Sequence, residues 1–207
     1  MDSKNIVTMR NLIEESTHDF YTSIAPQNVE KISITIPEGI INAAADGLLE
    51  DQSKLLAWFG LDTSNTVSCY ELSVNGQDIT NGRLKNAKHF MRSCNAWYVE
   101  NIEFCGLMYL QPYGRAEFCK DDWIHMMDIL MKYGFSYGFI AIGEMSADKQ
   151  SVVGVKFYLM DFFGTVYTTE DTCESKIFRK DDQIREKFMN MLHVETETYC
   201  KSHGLAY

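Results

Sequence analysis

The residues best suited to chemistry are the six of Gln111-Pro112-Tyr113-Gly114-Arg115-Ala116. They follow a short apolar run at 107–110 and precede an amphipathic segment that ends at Gly134. A turn of this make-up between a strand and a helix suits an anion. Gly114 and Ala116 are small enough for close approach to the backbone, Arg115 brings positive charge, and a helix start presents free amide N–H groups at the positive end of its dipole. The chemistry implied is phosphate or pyrophosphate binding. The chain has no P-loop lysine pattern and no GxGxxG, so neither a Walker site nor a Rossmann dinucleotide site is supported.

Other reactive residues are more scattered. Cys119 follows the turn near a helix start, where a thiolate is favoured, but no histidine is placed to activate it and it reads as a buried thiol. His125 lies beside Asp122 and Asp128 and reads as a surface residue. His18, His89 and His193 have no partner at metal or triad spacing. Glu144, Asp148 and Lys156 resemble the acids-plus-lysine set of a metal nuclease only faintly, with no supporting pattern around them. The six cysteines are dispersed without a CxxC, so reduced thiols are expected and a metal site is not.

The elements that would position the turn are legible from periodicity. Residues 107–110 read as a strand and the segment after the turn as a helix burying Trp123, Ile124, Met127, Leu130 and Met131, with Gly134 just past its end. Residues 135–142 are apolar on both parities, as in a central strand covered on both faces. Upstream, Ile6, Met9, Leu12, Ile13 and Phe20 predict an N-terminal helix over 4–22. Residues 29–36 alternate as a strand, Pro37 opens a helix, and Ser53 is placed to cap a shorter one carrying Leu55, Leu56, Trp58 and Phe59. Residues 66–74 read as a strand leading into the hairpin signal Asn75-Gly76. Residues 97–105 and 106–110 read as strands. The period of 152–163 is ambiguous between strand and helix, 165–169 reads as a strand, and 181–203 as a long helix. The division expected is an N-terminal helical segment (1–28), an α/β core (29–170) and a C-terminal helix (171–207).

Composition bounds the function. The chain has 207 residues, 45% hydrophobic and 13% aromatic, enough for a real core and too rich for disorder. A net charge of −10 argues against nucleic acid, which needs a basic footprint, and favours solubility and basic partners. No apolar run approaches the roughly 18 residues of a membrane span, and no signal architecture opens the chain, so a cytoplasmic protein is expected.

Q-P-Y-G-R-A resembles the R/Q-x-x-G-x-G/A acyl-CoA-binding pattern of the GNAT superfamily of N-acyltransferases, which lies between that family's strand 4 and helix 3. Residues 151–163, Ser-Val-Val-Gly-Val-Lys-Phe-Tyr-Leu-Met-Asp-Phe-Phe, are similar to its N-x-x-A-x-x-x-Y-x-x-x-G-F signature of helix 4 and strand 6, although Ser151 replaces Asn and Phe162 replaces Gly. The layout of 32–169 is similar to divergent, phage-type members. The resemblance implies an α/β fold, a three-layer α/β sandwich with a mixed, mostly antiparallel sheet of about six to seven strands and extra terminal helices. It implies acetyl-CoA or another acyl-CoA as co-substrate, held by Leu110, Gln111, Tyr113, Gly114, Arg115, Ala116 and Ser151, and an amine as acceptor. Tyr158 would be the general acid, and Glu100 or Glu103 the base. Asp121 and Asp122 would crowd the anion if the helix starts beside them. The other class is a non-enzymatic acidic protein, such as an inhibitor, immunity or phage accessory protein, acting on a basic protein partner.

Overall fold

The computed structural model describes residues 6–11, 29–51, 54–73, 79–80, 83–84 and 88–205. In chain order these form β1 (Ile6–Thr8), β2 (Lys31–Thr35), α1 (Glu38–Glu50), β3 (Ala57–Leu61), β4 (Val67–Leu72), β5 (Ile79–Thr80), β6 (Arg83–Leu84), α2 (Lys88–Val99), β7 (Glu103–Gln111), α3 (Lys120–Tyr133), β8 (Tyr137–Met145), β9 (Val152–Asp161), β10 (Val166–Thr168), β11 (Ser175–Asp181) and α4 (Asp182–Ser202). It is an α/β fold around one mixed, mostly antiparallel, curled sheet in the order β1-β2-β11-β10-β9-β8-β7-β3-β4. Among the described strands, the pairs β1/β2 and β7/β8 are parallel and the others antiparallel. Nine described strands join this sheet, against the six or seven expected.

The central strands are apolar on both parities because both faces are covered. In β3, Ala57, Phe59 and Leu61 join one core with Ile41, Ala44, Ala45 and Leu48 of α1, while Trp58 joins the other with Phe90 of α2, Met126 and Leu130 of α3 and Phe188 of α4. The Leu, Ile, Phe and Met side chains among these contribute about 1.5–3 kcal/mol each when fully buried. The curl brings the two ends of the sheet together. Asn65, at φ 61°, accepts the Arg10 amide on Oδ1 (2.8 Å), donates Nδ2 to the Ser33 carbonyl (2.8 Å) and accepts the Thr35 amide on its own carbonyl (3.1 Å). A Thr35–Thr66 bridge completes the contact.

Several expected elements differ. In place of the short helix over Leu55, Leu56, Trp58 and Phe59, Leu55 and Leu56 lead into strand β3, which holds Trp58 and Phe59, because a run apolar at every position fits a doubly covered strand as well as a helix. Trp97 and Val99 end helix α2 instead of starting a strand, since Phe90, Cys94 and Trp97 share a helical face. Residues 6–8 of the expected N-terminal helix are strand β1 and 9–11 are helical; residues 4–5 and 12–22 of it, Ser53 and the Asn75-Gly76 hairpin lie outside the described residues. The ambiguous segment is strand β9 from Val152 to Asp161, and 162–163 form the turn that follows it. The C-terminal segment contributes β11 to the sheet as well as α4.

Candidate functional site

The strand-turn-helix-strand unit forms as the spacing predicts, but its helix buries Trp123, Met126, Ile129 and Leu130, with Ile124 and Met127 only half-buried and Met131, expected inward, exposed. β7 and β8 are parallel neighbours joined by α3, and the turn 112–119 sits at the C-terminal end of β7. Gly134 ends α3 in the left-handed region (φ 73°), its N–H donating to the Leu130 carbonyl, as a C′ glycine does. Gly114 also has a positive φ, 70°, and a methyl there would meet nothing within 4 Å. The turn is therefore open to solvent on that side.

Its amide is occupied from inside. The Gly114 N–H donates to Glu144 Oε1 at 2.6 Å. Glu144 is brought there by register, since it pairs across β7/β8 with Gln111. The Arg115 amide donates to the Pro112 carbonyl (3.0 Å) and the Glu117 amide to the Arg115 carbonyl (2.8 Å), so the turn consumes these donors itself. Tyr113 and Arg115 are exposed; Ala116 is buried in the core with α3.

Helix α3 starts at Lys120, not near Arg115, with Asp121 and Asp122 in its first turn. Asp122 Oδ2 accepts the Cys119 amide at 2.8 Å, which closes the helix N-terminus with a carboxylate. Burial first, and then the neighbouring Asp122, push the Cys119 thiol above its ordinary range. The residue itself is exposed and is not the buried thiol expected. Tyr109 of β7 lies near Asp122 and Gln111, and its buried hydroxyl has no hydrogen-bond partner among the described residues; burial first, and then the Asp122 charge, raise its phenol. Periodicity could not single out this buried phenol, because Tyr109 reads as one more apolar position in a strand.

β7 and β8 stay hydrogen-bonded from Gly106↔Phe139 to Gln111↔Glu144. Both ends of the pair are close-packed. A Cβ at Gly106 would lie 2.5 Å from the Phe139 ring, and one at Gly143 would lie 2.5 Å from Leu110 Cδ2. The neighbouring strands do not part beside the turn.

Of the remaining expected site residues, Tyr158 meets the far end of the turn at Phe118 and Ser151 lies at the same end of the sheet, while the two glutamates do not. Tyr158 is on β9, four residues along from Gly154, the partner of Glu144, or about 13 Å at a strand's rise. Its ring stacks on Phe118 (centroids 4.7 Å, 19°), and burial raises its phenol pKa. Ser151 closes the β8–β9 hairpin, its amide donating to Ser146 Oγ at 3.1 Å. Glu100 follows α2, and Glu103 starts β7, where it pairs with Arg10 at 3.5 Å. Glu103 stands eight residues before Gln111, so about 26 Å of strand separates it from the turn. The fold thus collects Leu110, Gln111, Tyr113, Gly114, Arg115, Ala116 and Ser151 at one end of the sheet and leaves both glutamates at the other.

Elsewhere, His89 Nε2 lies 3.2 Å from Glu71 Oε2, and Ser93 Oγ donates to the same carboxylate. The carboxylate binds both groups directly, so the serine and histidine are not a nucleophile–base pair. His125 Nε2 accepts the Leu84 amide at 3.0 Å and ties β6 to α3. All six cysteines are free, and the described residues hold no group of three or more His, Cys, Asp or Glu able to bind a metal ion. No helix among the described residues is long and apolar enough to cross a membrane. The chain matches no protein-family model and no curated protein sequence.

Proposed function

We propose that this chain is a non-enzymatic acidic interaction protein that acts on a basic protein partner. The observation that carries the reading is the Glu144 carboxylate on the Gly114 amide, because the donor an incoming phosphate would use already holds an anion of the protein's own. Asp122 at the start of α3 supports it, since it supplies the negative charge that a helix N-terminus attracts. The net charge of −10 supports it too, since an acidic surface raises encounter rates with a cationic partner. So does α4, in which only Phe188 is buried while Met191, Val194 and Tyr199 are exposed.

A second reading, an acyl-CoA-dependent N-acyltransferase on a GNAT-like three-layer sandwich, is favoured by one observation: the crossover β7-α3-β8 with the Q-P-Y-G-R-A turn at its carboxyl end. Against it stand the closed β7/β8 pair, the strand at 152–161 where the family has a helix, and the distance of Glu100 and Glu103 from the turn. Calorimetry separates the two. The interaction reading expects no saturable heat with acetyl-CoA at millimolar concentration and salt-sensitive binding to a basic partner. One-to-one binding of acetyl-CoA that is lost on changing Arg115 and Gln111 would establish the second reading instead.

A further inference from the structure

Among the described strands, sheet continuity fails between β9 and β11. β10 pairs with β9 only over Thr168↔Tyr158, Tyr167↔Leu159 and Val166↔Met160, and then the chain leaves the sheet. Residues 152–157 of β9 remain paired with β8 on one side and have no described strand on the other. Across the gap, the first residues of β11 pair with β2 on their far side. A strand-wide slot therefore lies between β9 and β11, in line with β10. It forms part of a cleft of about 630 Å³.

The two walls of the slot differ. The Asp161 amide donates toward the β10 side, to the Thr165 carbonyl at 3.1 Å. Backbone groups alternate along a strand, and the register between 155 and 161 is regular. The N–H and C=O of Val155 and Phe157 therefore face the slot. On the opposite wall, the loop after β10 closes the β11 edge: the Ile177 amide donates to Asp171 Oδ2 at 2.8 Å. Lys176 Nζ is held by the Asp171 and Cys173 carbonyls (3.2 and 3.1 Å) and sits 4.5 Å from the Phe157 ring centroid. One wall is thus sealed by its own side chains, and the other presents an unpaired ladder. A row of unpaired backbone groups is a template for an added strand.

The chemistry of the cleft selects the occupant. Its floor is apolar, with Ile36 and Ile41. Its mouth carries Glu38, Glu170, Asp171 and Glu174, all exposed, against Lys156 and the engaged Lys176. We infer that the slot receives an extended basic segment of another protein, which pairs with β9 in antiparallel register and continues the line of β10. The direction follows from β10, which is antiparallel to both of its neighbours. Apolar residues of the segment would face the floor and alternate cationic residues the acidic mouth. This rests on the interaction reading above and gives the partner's binding element.

The test uses the full chain and a capped heptapeptide of alternating lysine and valine, followed by calorimetry and amide hydrogen exchange. Saturable binding is expected, with at least tenfold slower exchange at Val155 and Phe157. Val155→Pro, which removes a donor facing the slot and none facing β8, should weaken binding at least tenfold. Should that variant not fold, a peptide N-methylated on every second residue gives the same answer on the unaltered protein and should bind at least tenfold more weakly. No binding of the lysine–valine peptide, equal binding of the N-methylated or a glutamate–valine peptide, or protection confined elsewhere would each overturn the inference. So would protection of Val155 that depends on protein concentration alone, which would mark a second copy as the occupant. A basic partner protein that binds in a salt-sensitive way but is not displaced by the peptide would overturn the slot and leave the interaction reading standing.

Discussion

At the scale of single residues, Glu144 and Gly114 decide what the turn can do. A carboxylate accepting an amide at 2.6 Å is a charge-assisted bond, of the stronger class. Glu144→Gln keeps the shape and should cost about 1 kcal/mol of stability by chemical denaturation. Gly114→Ala meets no steric neighbour, so its cost is purely that of φ +70°, about 1–2 kcal/mol. Neither change should create acetyl-CoA binding, because the carboxylates of Asp121 and Asp122 remain at the helix start. Tyr158 belongs to packing at this scale. Its stack on Phe118 explains why it is half-buried on β9, so Tyr158→Phe keeps the ring contact and should cost no more than about 1 kcal/mol of stability.

At the scale of elements, the curl of the sheet depends on the turn before β4. Asp62 Oδ1 accepts the Ser64 amide (2.9 Å), the Ser64 hydroxyl (2.6 Å) and the Thr66 amide (3.1 Å). Burial alone would raise its pKa, but those bonds and Arg10 outweigh it and hold the carboxyl below 3.8. A depressed carboxyl adds stability that is present above the unfolded value and is lost as pH falls through the folded one. Asp62→Asn should therefore flatten the loss of stability below about pH 4, read from denaturation midpoints across pH. Asn65→Ala removes two side-chain hydrogen bonds between the sheet's ends and should cost about 1–3 kcal/mol. On α4, Phe188→Ala should cost about 3–5 kcal/mol, whereas Tyr199→Ala, at 58% exposure, should stay within about 0.5 kcal/mol.

The same scale shows what periodicity can carry. The unit 103–145 was legible because Pro112, Gly114 and Gly134 punctuate two apolar runs and one amphipathic helix. β3 and α2 were not. Leu-Leu-Ala-Trp-Phe has no polar position to set a period, and Trp97-Tyr98-Val99 are strand formers that end a helix because Phe90, Ser93 and Trp97 share its buried face. β11 was hidden by Lys176, a lysine buried at an inward position through its backbone carbonyl partners and the Phe157 ring. The turn's residues were found, but its state was not, since which carboxylate reaches Gly114 is set by the β7/β8 register. The open β9 edge had one faint sign: the strand after Gly164 is too short to cover a ten-residue neighbour.

At the scale of the whole molecule, the sheet is covered on both faces and nearly meets itself at its ends, so its remaining binding capacity lies at discontinuities. These are the slot beside β9 and the outer part of α4. Both sit on a surface with net charge −10. Association with a cationic partner should then weaken steeply with ionic strength, since exposed charges are screened beyond about 10 Å at 0.1 M salt. Reversing Glu38, Glu170 and Glu174 to lysine together should lower the association rate at low salt at least tenfold and remove most of its salt dependence, measured by stopped flow with the partner. The most direct measurement is native mass spectrometry of the tagged full chain purified from cells at low and high ionic strength. We expect a stoichiometric complex with a basic protein that comes apart as salt rises, and a chain free of nucleotide. A chain that carries CoA and no protein would contradict the interaction reading outright.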